Sequence, residues 1–505
     1  MAAPETRTGA QSRKSRTPPY ATRQTALSSL GMLAAEEAVR HPGLSGVELL
    51  RDGIDAFAMR MWLLQRAEQA VDLQYYIWHG DMTGHLMLEE LRKVAARGVR
   101  VRLLLDDNGI AGLDDTLFWL AGLPNIEIRL FNPFRHRRFK SLDFITDFAR
   151  ANRRMHSKSF TADNQVAIVG GRNIGDEYLA GRKDGVFADL DAVCAGPVVG
   201  DISDSFDRFW NSPAAHPVQT LVADRLFDAI QQARGNHRKI VAQPQATDYL
   251  QQVAESACLA QLEAGEVKLV WAPVTLISDP PEKVSQPRPG PISLLGRLTA
   301  FLGEAQSELL IVSGYFVPTR EGARAFAAMA RRGVDVRVLT NSYASTDVGA
   351  VHAGYAHRRK QLVEAGVRLF EMPAPGDRPK LSGKFVRGHA RNRREGNGST
   401  LHAKAFTVDG KAVFIGSFNF DPRSFALNTE LGIVIENADL AKEMREAFDE
   451  AIAPNTYNVV SRRGRLGWID QRDEMPEVEF TEPGTNWLSR LLVRALSRLP
   501  IEHLL

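Results

Sequence analysis

Residues 155–178 read MHSKSFTADNQVAIVGGRNIGDEY, and residues 401–423 read LHAKAFTVDGKAVFIGSFNFDPR. Both follow one plan: His-x-Lys-x4-Asp, six residues to a Gly-Gly or Gly-Ser pair, then x-Asn. A period of two places His156 and Lys158, and likewise His402 and Lys404, side by side on one face of a strand. Asp163-Asn164 and Asp409-Gly410 are turn dipeptides between strand-like runs. Each copy therefore reads as a β-hairpin: a His/Lys strand, a tight turn, an apolar return strand, and a glycine-hinged loop that delivers Asn173 or Asn419. A lone His-x-Lys strand is more often structural than catalytic. Two copies sharing the turn, the glycine pair and the Asn supply two imidazoles, two ammoniums and two amides, which suits one site across a pseudo-two-fold axis.

The rest of the chain repeats on the same scale. Val71–Trp78 reads as a buried strand, His85–Arg97 as an amphipathic helix closed by Gly98, and Val99–Leu105 and Ile126–Phe131 as further strands. In the second half Leu309–Phe316, Arg320–Arg332 and Asp335–Leu339 return in the same order, and RRGVDVRVL answers ARGVRVRLL. Strands alternating with helices predict α/β domains with a mostly parallel sheet. A repeat of roughly 240 residues is too long for a solenoid and fits two fused homologous domains. The expected organisation is a disordered basic tail over 1–25, a first domain over 26–215, a helical connector over 216–266, a second domain over 267–480 and an amphipathic helix over 481–505.

Composition bounds the function classes. With 505 residues and 44% hydrophobic content, the chain has ample material for buried cores. Lys and Arg exceed Asp and Glu by 63 to 60, a net +3, so local clusters matter more than the total. The two cysteines, Cys194 and Cys258, offer neither a disulfide framework nor metal-ligand spacing. No run reaches the roughly 18–20 apolar residues that span a bilayer, and no apolar region with a cleavage site follows the basic N-terminus.

Basic clusters precede both motifs: Arg135, His136, Arg137, Arg138 and Lys140 with Arg150, Arg153 and Arg154, then Lys380, Lys384, Arg387, Arg391, Arg393 and Arg394. They are expected to recruit an anionic substrate or lipid. In WLSRLLVRALSRL, 487–499, Trp487, Leu488, Leu491, Leu492, Ala495, Leu496 and Leu499 share one helical face opposite arginines, the pattern of an interfacial membrane helix. Asp191 in FADLDAV and Glu430 in NTELGI open apolar strand-like runs and can point back into the site.

The chemistry follows from the residue types. Lys158, Lys404, Asn173 and Asn419 supply positive charge and donors for phosphoryl oxygens. One histidine can attack phosphorus while the other acts as general acid and then base. Asp163 and Asp409, at the turns, are expected to brace the hairpins. The site calls for no metal or cofactor, since it offers lysines where a two-metal site offers several carboxylates.

The duplicated His-x-Lys-x4-Asp motif resembles that of the phospholipase D superfamily. The resemblance implies His156 as nucleophile, His402 as acid/base, and carboxylates such as Asp191 and Glu430 holding the rings. DLQYYIWHGDMTG, RVRLLLDDNG, LFNPFRHRRF, DFARANRRMHSKSF, GYFVPT, NTELGIVIE and the terminal LPIEHLL are similar to bacterial cardiolipin synthases, and among them to the type without N-terminal transmembrane helices. That implies transfer of a phosphatidyl group from phosphatidylethanolamine or phosphatidylglycerol to phosphatidylglycerol. It also implies peripheral contact with an anionic membrane, on the cytoplasmic side of the bacterial inner membrane, with no nucleic acid as partner and no protein partner named by any motif. A hydrolase releasing phosphatidic acid, and a nucleic-acid phosphodiesterase, are the alternatives.

Overall fold

The computed structural model describes residues 25–137, 139–182, 185–222, 227–285, 294–374, 400–473 and 477–497. The expected basic tail, the second basic cluster, Arg138 and the last residues of the terminal segment lie outside these.

The first half builds a nine-stranded sheet in the order Val270–Ala272, Ser45–Leu50, Asp191–Ala195, Val166–Gly170, Ser159–Ala162, Ala70–Ile77, Arg100–Gly109, Ile126–Phe131, Ala215–Pro217. The second half repeats the plan in a ten-stranded sheet. Its central run is Leu431–Ile435, Ala412–Gly416, Lys404–Val408, Glu308–Ser313, Asp335–Asn341, Arg368–Met372. The α/β class and the duplication are present, but each sheet is mixed rather than mostly parallel. Within these two sheets parallel pairing is confined to the three strands joined by helices, Ala70–Ile77, Arg100–Gly109 and Ile126–Phe131, and to their counterparts. The hairpin strands have turns too short for a crossover and must return antiparallel.

The helices end as the sequence demands. Met82–Ala96 starts at Asp81, whose side chain accepts the Gly84 N–H, and its chain leaves through Gly98 at φ +94°. Gly333, closing Arg320–Arg331, has the same φ of +94°. Three helices, Phe227–Val241, Pro244–Ala254 and Ala257–Ala264, connect the halves. The next strand, Val270–Ala272, still pairs with Ser45–Leu50, so the chain crosses to the second sheet only at Val274–Ser278, later than the sequence pattern suggested.

Both hairpin turns place two consecutive residues at positive φ: Asp163 at 48° and Asn164 at 51°, Asp409 at 53° and Gly410 at 62°. Asp, Asn and Gly tolerate that region best. Each turn aspartate then ties its hairpin to the start of the neighbouring strand. Asp163 accepts the backbone N–H groups of Glu68, Gln69 and Ala70 at 2.8–3.2 Å, and Asp409 those of Gln306, Ser307 and Glu308 at 2.7–3.1 Å.

The halves share an apolar core in which Val169, Ala192 and Cys194 of the first sheet meet Leu310, Ala405, Val413 and Ile433 of the second. Each large apolar side chain so buried contributes roughly 1.5–3 kcal/mol. Phe187–Ala188 also pairs in parallel with Thr400–Leu401, which carries the chain into His402.

Asp163 is fully buried, so Asp163→Ala strands three backbone donors. We expect a loss on the order of 3 kcal/mol, seen as a lower midpoint of thermal unfolding. Asp409→Ala, at a more open turn, is expected to lower it less.

Candidate active site

The two His-x-Lys strands meet where the halves join. The backbone N–H of His156 donates to Thr429 O at 2.9 Å, and that of His402 to Ala188 O at 2.8 Å, so each histidine is hung from the opposite half. The rings repeat the exchange. His156 Nδ1 lies 2.8 Å from Glu430 Oε2, and His402 Nδ1 is hydrogen-bonded to Asp189. With Nδ1 engaged, Nε2 of each ring is the nitrogen left for chemistry. Lys158 Nζ donates to His156 O at 2.6 Å and Lys404 Nζ to His402 O, which fixes each ammonium beside its own imidazole.

Aromatic rings wall the histidines. Tyr76 meets His156 edge-on with centroids 5.0 Å apart; Tyr178 meets His402 edge-on at 5.2 Å, and Phe187 stacks on His402 at 5.2 Å. Asn173 Oδ1 accepts the Ile77 N–H at 3.2 Å. Asn173 Nδ2, Asn419 Oδ1 and Glu430 Oε1 are buried without a hydrogen-bond partner among the described residues. The two histidines, the two lysines, Asp189 and Glu430 are thus brought together, while Asp163 and Asp409 sit at the far ends of the hairpins.

Asp191 is not at the histidines. Its carboxylate pairs with Arg60 at 2.8 Å and accepts the Arg172 N–H at 3.1 Å. The ring-holding carboxylate is Asp189, two residues earlier, between the short strand Phe187–Ala188 and the strand Asp191–Ala195. Aligning A-D-L-D on T-E-L-G sets Asp189 against Glu430 and would have found it.

The glycine pair explains the rest of the motif. A Cβ on Gly171 would lie 2.2 Å from Asp189 Oδ1, and one on Gly170 2.2 Å from Asp191 Oδ1, so both glycines make room for carboxylates. In the second half Ser417 stands at the place of Gly171 and donates its hydroxyl to Glu430.

Burial, then Lys158, Lys404 and His402, push the His156 ring well below its usual range. Burial and Lys404 also lower His402, but Asp189 opposes them. Burial alone would raise Asp189; the His402 ring and Lys404 outweigh it and hold that carboxyl well below the ordinary range. Glu430 goes the other way: burial raises it to about 7 despite Lys158 and Ser417. Burial likewise lowers Lys158 to about 7.

Of metal-compatible groups among the described residues, His79, Asp81 and Glu177 converge beside Tyr178. Their donors are engaged: His79 Nδ1 lies 2.9 Å from Glu177, and Asp81 caps a helix and accepts the Asp176 N–H at 2.7 Å. Four residues of the first basic cluster also pair with carboxylates of their own half. Arg137 pairs with Asp107 at 2.6 Å, Lys140 with Asp107 at 3.0 Å, Arg150 with Asp143 at 2.8 Å and Arg154 with Asp106 at 3.3 Å.

Comparison with known proteins agrees with this geometry. The family described as "Cardiolipin synthase, PLD-like domain" matches residues 61–210 and 298–452, one segment per half. The chain belongs to this family. Cardiolipin synthase C of Escherichia coli strain K12 is 42% identical over 471 residues, 92% of this chain and 97% of that protein. A cardiolipin synthase of Staphylococcus aureus strain N315 is 24% identical over 439 residues, 86% of this chain and 72% of that protein. In fold, the chain is similar to the phosphatidylserine synthase of Haemophilus influenzae Rd KW20, with a TM-score of 0.58, 16% identity, and coverage of 94% and 99%. Like other phospholipase D-like cardiolipin synthases in sequence, this chain is a two-motif enzyme.

Because Asp189 and Asp191 have different partners, their amides separate the two. Asp189→Asn is expected to lower kcat by at least about 100-fold with little change in melting temperature, and Gly171→Ala to follow it by displacing the same carboxylate. Asp191→Asn should instead act on stability, through Arg60 and Arg172, when thermal unfolding and turnover are compared.

Proposed function

We propose that this protein is a phosphatidyltransferase that makes cardiolipin, moving a phosphatidyl group from phosphatidylethanolamine or phosphatidylglycerol onto a hydroxyl of phosphatidylglycerol. The observation that carries it is the crossed pair of carboxylate-held histidines beside two buried lysines, in a chain similar over almost its whole length to a cardiolipin synthase.

In the first step Nε2 of His156 forms a bond to phosphorus as the bond to the donor headgroup oxygen breaks, and His402 gives that oxygen its proton. In the second, His402 takes the proton of the acceptor hydroxyl, whose oxygen bonds to phosphorus as the P–N bond breaks. The asymmetry of the carboxylates supports this assignment. Asp189, fully ionised, favours the proton-carrying form of His402. Burial, Lys158 and Lys404 keep His156 a neutral ring, and with its Nδ1–H donating to Glu430 the lone pair stands on Nε2. Lys158, Lys404, Asn173 and Asn419 line the place of the phosphoryl oxygens, and Asp163 and Asp409 brace the hairpins from outside it.

The setting is a membrane. No helix among the described residues is long and apolar enough to cross one. The terminal helix Trp487–Leu496 buries Val493 and leaves Trp487, Leu488 and Leu491 exposed, an apolar face free to lie on a bilayer. We assign the protein to the cytoplasmic face of a bacterial inner membrane as a peripheral enzyme. The nucleic-acid alternative is weakened by the internal pairing of Arg137, Lys140 and Arg150.

The test is to incubate the purified protein with phosphatidylglycerol vesicles, with and without phosphatidylethanolamine, and identify the products by mass spectrometry. Cardiolipin is expected, and its dependence on phosphatidylethanolamine names the donor; phosphatidic acid as sole product would replace the transferase by a hydrolase. His156→Ala and His402→Ala should each abolish turnover, and full activity in either would exclude a shared site.

The pH profile follows from the same groups. Below about 7 Lys158 is charged and above it neutral, while the lowered His156 stays unprotonated below its usual 6.5. kcat/KM, which reports the free enzyme and needs His402 protonated and Lys158 charged, should therefore fall as pH rises, His402 losing its proton below its usual 6.5 and Lys158 at about 7. A flat profile from pH 6 to 9 would contradict these roles.

A further inference from the structure

Between the strand Ile126–Phe131 and His156 the chain forms a short turn, Lys140–Leu142, and two single-turn helices, Asp143–Thr146 and Phe148–Ala151. This segment turns its apolar side chains outward. Phe139 is 67% exposed and Ile145 80%, and Leu142, Phe144 and Phe148 are exposed beside them. A cluster of five such residues within ten positions is far more than the scattered apolar residues of an ordinary surface.

The segment is nevertheless firmly held. Its inner side packs Phe144 on Phe134 at 5.5 Å; Lys140 Nζ donates to Asp107 O at 2.8 Å, and Asp143 accepts from Arg150 at 2.8 Å and from the Arg135 and His136 N–H groups. Its charges are matched as well: Arg150 meets Asp147 at 2.7 Å and Arg135 meets the same carboxylate at 3.4 Å. Paired charges make such a surface cheap to take out of water and leave it with little electrostatic pull of its own.

It is also linked to the reaction centre. Asp107, which anchors Lys140, lies between Asp106, acceptor of the Met155 N–H at 2.8 Å, and Asn108, donor to the Tyr76 hydroxyl at 3.2 Å. Tyr76 is the ring against His156. An ordered, charge-balanced apolar surface tied to His156 through Asp107, Asn108 and Tyr76 suits a partner that is apolar itself and carries the phosphodiester at its edge.

We infer that residues 139–148 form an apolar lip that inserts into the acyl layer of a phospholipid bilayer and seats the mouth of the site on it. The inference rests on the phospholipid reading of that site. It adds a second contact, in the first half, to the terminal helix of the other half, and one driven by apolar burial rather than charge.

The test is the double variant Phe139→Ser with Ile145→Ser, both positions exposed enough for the fold to be kept. Turnover is measured on phosphatidylglycerol vesicles and on short-chain phosphatidylglycerol held below its micelle concentration, and vesicle co-sedimentation is measured at low and high salt. The variant should lose at least about tenfold of its vesicle activity while matching the wild type on the monomeric lipid, and its binding deficit should persist at high salt. Equal vesicle activity, an equal loss on both substrates, or unchanged co-sedimentation would overturn the lip. If the wild type turns over neither lipid, the phosphatidyltransferase reading fails while co-sedimentation still decides the lip.

Discussion

Each histidine of this protein is oriented by a carboxylate that belongs to the other half. His156 reaches Glu430 and His402 reaches Asp189, and the backbone of each histidine is hydrogen-bonded across the same boundary. A buried carboxylate or imidazole without its partner is costly, so neither half can complete its own chemistry or bury its own charge. The apolar core that unites the two sheets is therefore a condition of the site as well as of stability. Duplication alone would leave two incomplete sites; the crossing makes one.

The crossing also breaks the symmetry that duplication imposes. Gly171 leaves space for Asp189, whose carboxylate stays ionised against His402, whereas Ser417 at the equivalent place hydrogen-bonds Glu430, which burial raises to about 7. Two histidines of the same motif thereby acquire different proton affinities, which a mechanism with one nucleophile and one acid requires. The two lysines are held on the carbonyls of their own histidines, with Glu430 and Asp189 as the carboxylates that oppose the effect of their burial.

Much of this was legible beforehand. The hairpins, their turns and the duplicated strand-helix-strand order follow from period-two alternation, Asp-Asn and Asp-Gly dipeptides, and the matched RGV segments, all local signals. What failed was long-range. Asp191 was named because it opens an apolar strand-like run, but a change of partner between Phe187–Ala188 and Asp191–Ala195 redirects the chain, so Asp189 meets His402 and Asp191 meets Arg60. The basic residues near Phe139 looked like a docking surface because their neutralising partners, Asp106 and Asp107, lie about 30 to 50 positions away. Parallel pairing was overestimated because every strand outside the three joined by helices, the two of the hairpin among them, pairs antiparallel in its sheet.

Whether a covalent intermediate of this kind ends in a lipid or in water depends on access, since any hydroxyl that reaches phosphorus can accept a proton abstraction by His402. The arrangement bears on that choice. Tyr76 flanks one histidine, Tyr178 and Phe187 the other, and these rings leave little room for bulk solvent around the nitrogens. The apolar segment at Phe139, tied through Asp107 and Asn108 to Tyr76, would present the intermediate to a surface crowded with lipid hydroxyls and poor in water. On that view transfer is favoured over hydrolysis by where the site is seated rather than by a residue that recognises the acceptor.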